Sequence, residues 1–243
     1  MRALAIDTDV IVVISAVWQT TATLVRSGDE GFLIDSPVLP EELEALPSLA
    51  EQAGFPVSGL LATHSDWDHV LGRLAYPDAS LGVAESTAAR LQAEPGEAQR
   101  ALRRFDDRWY LDRPRPLRLG SVQALPVPGK LSIGSGGREI ELHPAHGHTA
   151  DGCAFRLPWC GVLVVGDYLS PVELPLGRDH AAYLETLERL RGLVAGADTV
   201  VPGHGHPMSG AEALRVLDGD LARLRDAPEN LAGWESPTRR PRD

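Results

Sequence analysis

Seven of the eight histidines fall into three short clusters, and each cluster follows an apolar run that reads as a strand. The densest is Thr63-His64-Ser65-Asp66-Trp67-Asp68-His69. In extended backbone, residues two apart point to one side, so His64 and Asp66 can share an ion. Asp68 and His69 are adjacent and face elsewhere, so they can serve a second ion nearby. His143-Pro-Ala-His146-Gly-His148-Thr149 and Pro202-Gly203-His204-Gly205-His206 repeat the pattern. Asp167 likewise follows the apolar run Val162–Val165 directly. Glycines beside Asp167 and His204 let the backbone turn sharply and approach an ion closely. Scattered core histidines would not distribute this way.

Composition narrows the classes. Hydrophobic residues make up 43% of 243, enough to bury a sizeable core. A formal charge of −11 argues against a nucleic-acid partner, which needs a clustered basic footprint. The apolar run Val10–Val17 is too short to span a membrane, and Asp7 and Asp9 precede it where a signal peptide carries positive charge. We expect no membrane partner, a cytoplasmic location and a small-molecule substrate. Cys153 and Cys160 are expected as two buried thiols rather than a disulfide. Oligomeric state is left open.

The strand expectations are Val10–Val17, Thr20–Val25, Gly31–Asp35, Val57–Thr63, Arg138–His143, Ala154–Leu157, Val162–Gly166 and Thr199–Val201. Helices are expected over Glu41–Ala53, with Pro47 as a kink or break, and over Glu85–Ala93. Two more are expected over Asp179–Ala195, with Asp179 as N-cap, and from a Ser209–Glu212 capping box to about Arg225. The stretch 94–137, rich in arginine and proline, reads as loops and edge strands, either a lid beside the site or a plain insertion. One domain over 1–235 is expected, with a disordered tail at 236–243.

The motifs resemble those of the metallo-β-lactamase superfamily: H-x-H-x-D-H, a later G-H-T, an aspartate after a strand, and P-G-H. The similarity runs from about Thr20 to His206. It implies an α+β fold, the four-layer αββα sandwich, with the site at one edge between two sheets. It also implies two divalent metal ions, zinc first, with manganese or iron as alternatives. By the resemblance, His64, Asp66 and His148 would hold one ion, and Asp68, His69 and His204 the other. Asp167 would bridge them beside a bridging hydroxide, which makes Asp68 and Asp167 the catalytic carboxylates. Asp35, in Leu-Ile-Asp-Ser-Pro, matches a first motif that supports the metal loop without binding metal. Asp66 departs from the pattern, since most members carry histidine there; a minority resemble this H-x-D-x-D-H version. A carboxylate at that position suits manganese or iron better than zinc.

Other residues have two readings each. His146 is either a contact near the site or a loop residue; His206 is near the mouth or outside it. His143 and His180 read as structural and surface residues. Trp67 packs or walls the pocket, and Tyr168 either offers its hydroxyl to substrate or packs. Arg73 and Arg178 are candidates for an anionic substrate group. The resemblance favours hydrolysis of a small ester, thioester, phosphodiester or lactone by a metal-bridging hydroxide. An exported antibiotic-destroying lactamase, a glyoxalase II-like thioesterase and a transfer-RNA nuclease are each disfavoured. The alternatives are an iron-dependent redox enzyme of the same fold, like a sulfur dioxygenase or a flavodiiron protein, and a non-catalytic metal-binding domain.

Overall fold

Alternating apolar residues in the N-terminal strands decide the architecture. A computed structural model describes residues 1–226. Strands β1 (Arg2–Asp7), β2 (Val10–Ile14), β3 (Thr21–Ser27), β4 (Glu30–Asp35), β5 (Gly59–Ala62), β6 (Ser80–Ala84) and β7 (Gln123–Leu125) form one sheet in sequence order. The first four are joined antiparallel and the rest parallel. The second sheet holds β8 (Gly129–Ile133), β9 (Arg138–Pro144), β10 (Cys153–Leu157), β11 (Val162–Gly166), β12 (Thr199–Pro202) and β13 (Met208–Ser209). Its order is β13-β12-β11-β10-β9-β8.

Three apolar clusters separate four layers. Val12, Val25, Ile34 and Leu61 of the first sheet meet Ile140, Phe155, Val164 and Val201 of the second. Their neighbours Val13, Leu24, Leu33 and Leu60 point the other way, onto the outer helices. Those helices are α1 (Pro40–Gln52), α2 (Gly72–Ala75), α3 (Glu85–Ala93) and α4 (Glu97–Trp109). On the far side, Leu163, Val165 and Val200 pack against α5 (His180–Ala195) and α6 (Gly210–Asp226). The period-2 alternation thus loads both faces of each sheet, and the result is the expected αββα sandwich.

Several local expectations hold. Asp179 caps α5, accepting from the Ala182 amide at 2.9 Å. Ser209 and Glu212 exchange the reciprocal bonds of a capping box, at 3.0 and 3.3 Å. Both cysteines are free as expected, but only Cys153 is buried, and Cys160 is half-buried. Two expectations need correction. Pro47 neither breaks nor ends α1, which runs on to Gln52. The stretch 94–137 is not only loop and edge strand, because it contains the 13-residue helix α4. Ala98, Leu102 and Phe105, at helical spacing, form its buried stripe, and the many arginines between them obscured it. The tail expected at 236–243 lies outside the described residues.

The strand ends that carry the histidine clusters converge at one edge of the two sheets. Strand β5 runs parallel to β4 and β6, and β11 runs parallel to β12; the three end at Thr63-His64, Asp167 and Gly203-His204. Cross-sheet bonds tie these ends together: the Cys153 amide donates to Thr63 O at 2.8 Å, and the Thr21 amide to Gly203 O at 2.8 Å.

Candidate metal centre

The site begins with how each imidazole is held from behind. Nδ1 of His64 lies 3.0 Å from Thr63 Oγ1. Nδ1 of His69 lies 3.1 Å from Asp35 Oδ2. Nδ1 of His148 lies 2.8 Å from the Leu176 carbonyl. Nδ1 of His204 lies 3.3 Å from both Thr20 Oγ1 and the Trp18 carbonyl. With Nδ1 engaged outward, all four rings present Nε2 inward. This is how ligating histidines are oriented, by a partner on the nitrogen that does not meet the ion.

The inward atoms surround one carboxylate. Asp167 Oδ2 lies 3.0 Å from His148 Nε2 and 3.8 Å from His64 Nε2. Its Oδ1 lies 3.1 Å from His69 Nε2 and 3.3 Å from His204 Nε2. Each oxygen of Asp167 therefore faces its own pair of rings. Asp66 stands on the first side, Oδ2 being 3.9 Å from Nε2 of both His64 and His148. Asp68 stands on the second, Oδ2 being 3.8 Å from His69 Nε2 and 3.6 Å from His204 Nε2.

Burial makes this arrangement costly without a cation. His64, Asp68, His69, Asp167 and His204 are buried; Nε2 of His69 and of His204 meets Asp167 Oδ1, and Nε2 of His64 makes no hydrogen bond among the described residues. A buried polar atom left so is expensive. Charges among them are strongly coupled. Burial alone would lower His69, but Asp167, Asp35 and Asp68 hold it well above the usual histidine range. Burial likewise opposes charging of His204, and Asp167 overrides it upward. His64 is lowered, by burial and then by His69. Burial would raise Asp167, but the four histidines hold it well below the usual carboxylate range. The donor set is therefore anionic carboxylate among imidazoles, the chemistry that suits divalent ions of the zinc, iron and manganese group. Ligand atoms of His64, Asp66 and His148 lie within 4.8 Å of one another, as do those of Asp68, His69 and His204. Either group could hold an ion, with Asp167 between them.

Supports for the loop come from outside the histidine motifs. Asp35 sits at φ 59°, a left-handed conformation that aspartate tolerates better than most residues. Its carboxylate accepts from the Thr63 amide at 2.7 Å and from Thr63 Oγ1 at 2.9 Å. Trp67 packs edge-on to Trp18 at 5.7 Å and lies 4.8 Å from Phe105, between ring centroids, which docks the loop on α4. The Tyr168 hydroxyl accepts from the His148 amide at 3.0 Å, and the ring is buried beside Tyr183.

The remaining sequence candidates are placed as follows. Arg178 is exposed and lines a cavity of about 250 Å³ with Asp66, His148, Asp167, Glu173 and Tyr183. Arg73 instead donates to the Ser121 carbonyl. His206 is exposed and lines a neighbouring groove with Met208 and Glu212. His146 is half-buried, its carbonyl accepting from Thr186 at 2.7 Å. His143 pairs with Glu141 at 3.6 Å, and His180 opens α5. Neither His146 nor His206 joins the groups that could share an ion.

Glu173, Arg90 and Asp151 were missed in the sequence. Glu173 brings a carboxylate within 4.8 Å of ligand atoms of Asp167 and His204; it lies in an irregular loop, where no spacing pattern marks it. Arg90, on α3, donates to Asp66 Oδ1 at 3.0 Å and to Asp151 Oδ1 at 2.7 Å. Only its place on a buried-side turn of a short amphipathic helix could have drawn attention to it.

Comparison with known proteins agrees with this fold. The family model described as metallo-beta-lactamase superfamily matches residues 16–204. A metallo-beta-lactamase family protein from Thermus thermophilus superposes with a TM-score of 0.69 at 22% identity, covering 93% of this chain and 85% of that one. A metallo-beta-lactamase from Pontibacter korlensis gives 0.67 at 18%, covering 93% and 99%. TTHA1623, solved in a di-iron-bound form, gives 0.63 at 26%, covering 84% and 97%.

Proposed function

The chain belongs to the metallo-β-lactamase superfamily, and from that premise we propose that it is a binuclear metal-dependent hydrolase acting on a small ester, thioester, phosphodiester or lactone. The observation that carries this reading is the convergence of four inward Nε2 atoms on the two oxygens of Asp167, at 3.0, 3.1, 3.3 and 3.8 Å. His64, Asp66 and His148 would hold one ion, and Asp68, His69 and His204 the other. Two divalent ions, when bound, supply an activated water at neutral pH and a clamp for the substrate oxygen.

The chain's own residues do the rest. Asp167 keeps the two halves of the centre in register, one oxygen toward each. The cavity beside Asp66, His148 and Asp167 is where a substrate would lie, and Arg178 at its mouth offers a guanidinium to an anionic group. Trp67, held against Trp18 and Phe105, keeps the loop in one shape without touching substrate.

Zinc is the first ion to try. The carboxylates Asp66, Asp68, Asp167 and Glu173 together favour harder ions more than a histidine-rich set would, so iron and manganese belong in the same experiment. The di-iron form of one structural relative supports including iron.

The test is a screen with p-nitrophenyl esters, bis-p-nitrophenyl phosphate, a lactone and a thioester, with and without chelator. Turnover abolished by chelator, restored by Zn²⁺, Mn²⁺ or Fe²⁺ and reduced by orders of magnitude in Asp167→Asn supports the proposal. Near-normal turnover in Asp167→Asn would refute its central role.

A further inference from the structure

Resting on the reading of Asp66 as a ligand, we infer that Arg90 is a positioning residue of the metal centre, and that the Asp66–Arg90 pair acts there as a substitute for a neutral histidine. The two oxygens of Asp66 are divided between two tasks. Oδ1 accepts from Arg90 Nη2 at 3.0 Å. Oδ2 faces inward, 3.9 Å from Nε2 of both His64 and His148. Each imidazole of the centre shows the same division, one atom inward and one held from behind.

The clamp grips the loop twice. Arg90 Nη1 donates to Asp151 Oδ1 at 2.7 Å, and Asp151 Oδ2 accepts from the Ser65 amide at 2.9 Å. Arg90 thus fixes Asp66 directly and Ser65 through Asp151. The fork of a guanidinium suits this task, since one planar group meets two carboxylates at once. The assembly is largely shielded: side-chain exposure is 10% for Arg90, 15% for Asp66 and 1% for Asp151. A third contact, to Glu94 at 3.2 Å, lies on the exposed side and contributes little.

Charge explains the pairing. A histidine at position 66 would bring no charge, whereas aspartate brings a negative one. A guanidinium bonded to the outward oxygen offsets that charge while leaving a hard oxygen donor inward. Burial works against charging Arg90, but its bonds to Asp151 and Asp66 hold it above the usual arginine range. The guanidinium is therefore a fixed cation in this setting.

The experiment titrates metal-stripped protein with Zn²⁺ against a chromophoric chelator and resolves two binding steps. Partners of this kind, one shell out from a ligand, are worth about 10- to 100-fold in metal affinity. Arg90→Met should weaken one step by about that factor and leave the other unchanged. The loss of the cation beside Asp151, which keeps its bond from the Ser65 amide, is common to the wild-type and Asp66→His backgrounds and so cancels in their comparison. The decisive arm is the Asp66→His background, where Arg90 has no carboxylate to orient at position 66. There Arg90→Met should leave the affected step unchanged or tighten it. Equal losses in both backgrounds, or wild-type affinity for both steps in Arg90→Met, would overturn the inference. Arg90→Lys, which keeps a cation for Asp151 but cannot fork to both carboxylates, carries the same test if Arg90→Met does not fold. A separate outcome addresses the underlying reading: wild-type affinity for both steps in Asp66→Ala would remove Asp66 as a ligand altogether.

Discussion

Oδ2 of Asp35 stands 3.1 Å from Nδ1 of His69, with both side chains buried. The same carboxylate holds Thr63, the residue before His64, so one aspartate sets both ends of the metal loop. Asp35→Asn replaces one carboxylate oxygen with a donor. His69 then loses a charged partner, and Thr63 keeps only one of its two acceptors. We expect about 10- to 100-fold weaker binding of the ion that His69 would serve, read by chelator competition. Unchanged affinity for both ions would show that Asp35 supports the fold alone.

Gly203 separates β12 from His204 and is tightly packed against the centre. A Cβ there would collide with Asp167 Oδ1 and come within 3.0 Å of His69 Cε1. Neither neighbour can retreat, because Asp167 is enclosed by four rings and His69 is held by Asp35. Gly203→Ala should therefore fold but bind metal poorly and lose turnover. Circular dichroism and metal content measured together check this, and full metal content in the variant contradicts it.

Tyr168 acts, in this account, through His148 rather than on substrate. Tyr168→Phe removes the acceptor of the His148 amide and leaves that donor without its partner. A loss of about 1–3 kcal/mol in stability is expected, along with weaker binding at the His64–His148 side. If Tyr168→Phe instead changed only KM, with affinity for metal intact, the hydroxyl would be a substrate contact.

Asp220 gives a pH dependence of stability at a carboxyl that lines the cavity beside Asp66, His148 and Asp167 but lies outside the groups that could share an ion. It is 2% exposed, and burial pushes its carboxyl up to about 7, with Arg223 opposing. A carboxyl raised on folding favours the protonated native state. Its contribution is fully present below the unfolded value of about 4 and is lost as pH rises through about 7. That difference corresponds to at most about 4 kcal/mol. Asp220→Asn should leave the melting temperature near pH 4 unchanged and raise it at pH 8. Equal melting temperatures at pH 8 would place the carboxylate in a well-compensated site.

The sequence made the inward half of the centre legible and hid the outward half. His64 to His69, His148, Asp167 and His204 stand at strand ends, in patterns short enough to read locally, and the structure brings them together. Arg90 lies 24 residues from Asp66 and joins it only because α3 packs beside the loop. Glu173 sits in a loop without periodicity. The same contrast holds for the fold. Strands β2 to β5 announced themselves through apolar runs, whereas β1, mostly exposed at the sheet edge, and α4, whose buried stripe is three residues wide, did not. Contacts made across the chain leave no local trace, and supporting residues are mostly of that kind.

Metal stoichiometry of the purified chain tests the central claim most directly. Elemental analysis after reloading with Zn²⁺, Mn²⁺ or Fe²⁺ should give two ions per chain, with ester, thioester, phosphodiester or lactone hydrolysis appearing only in the loaded protein. One ion or none, with no hydrolysis under any loading, would contradict a binuclear hydrolase.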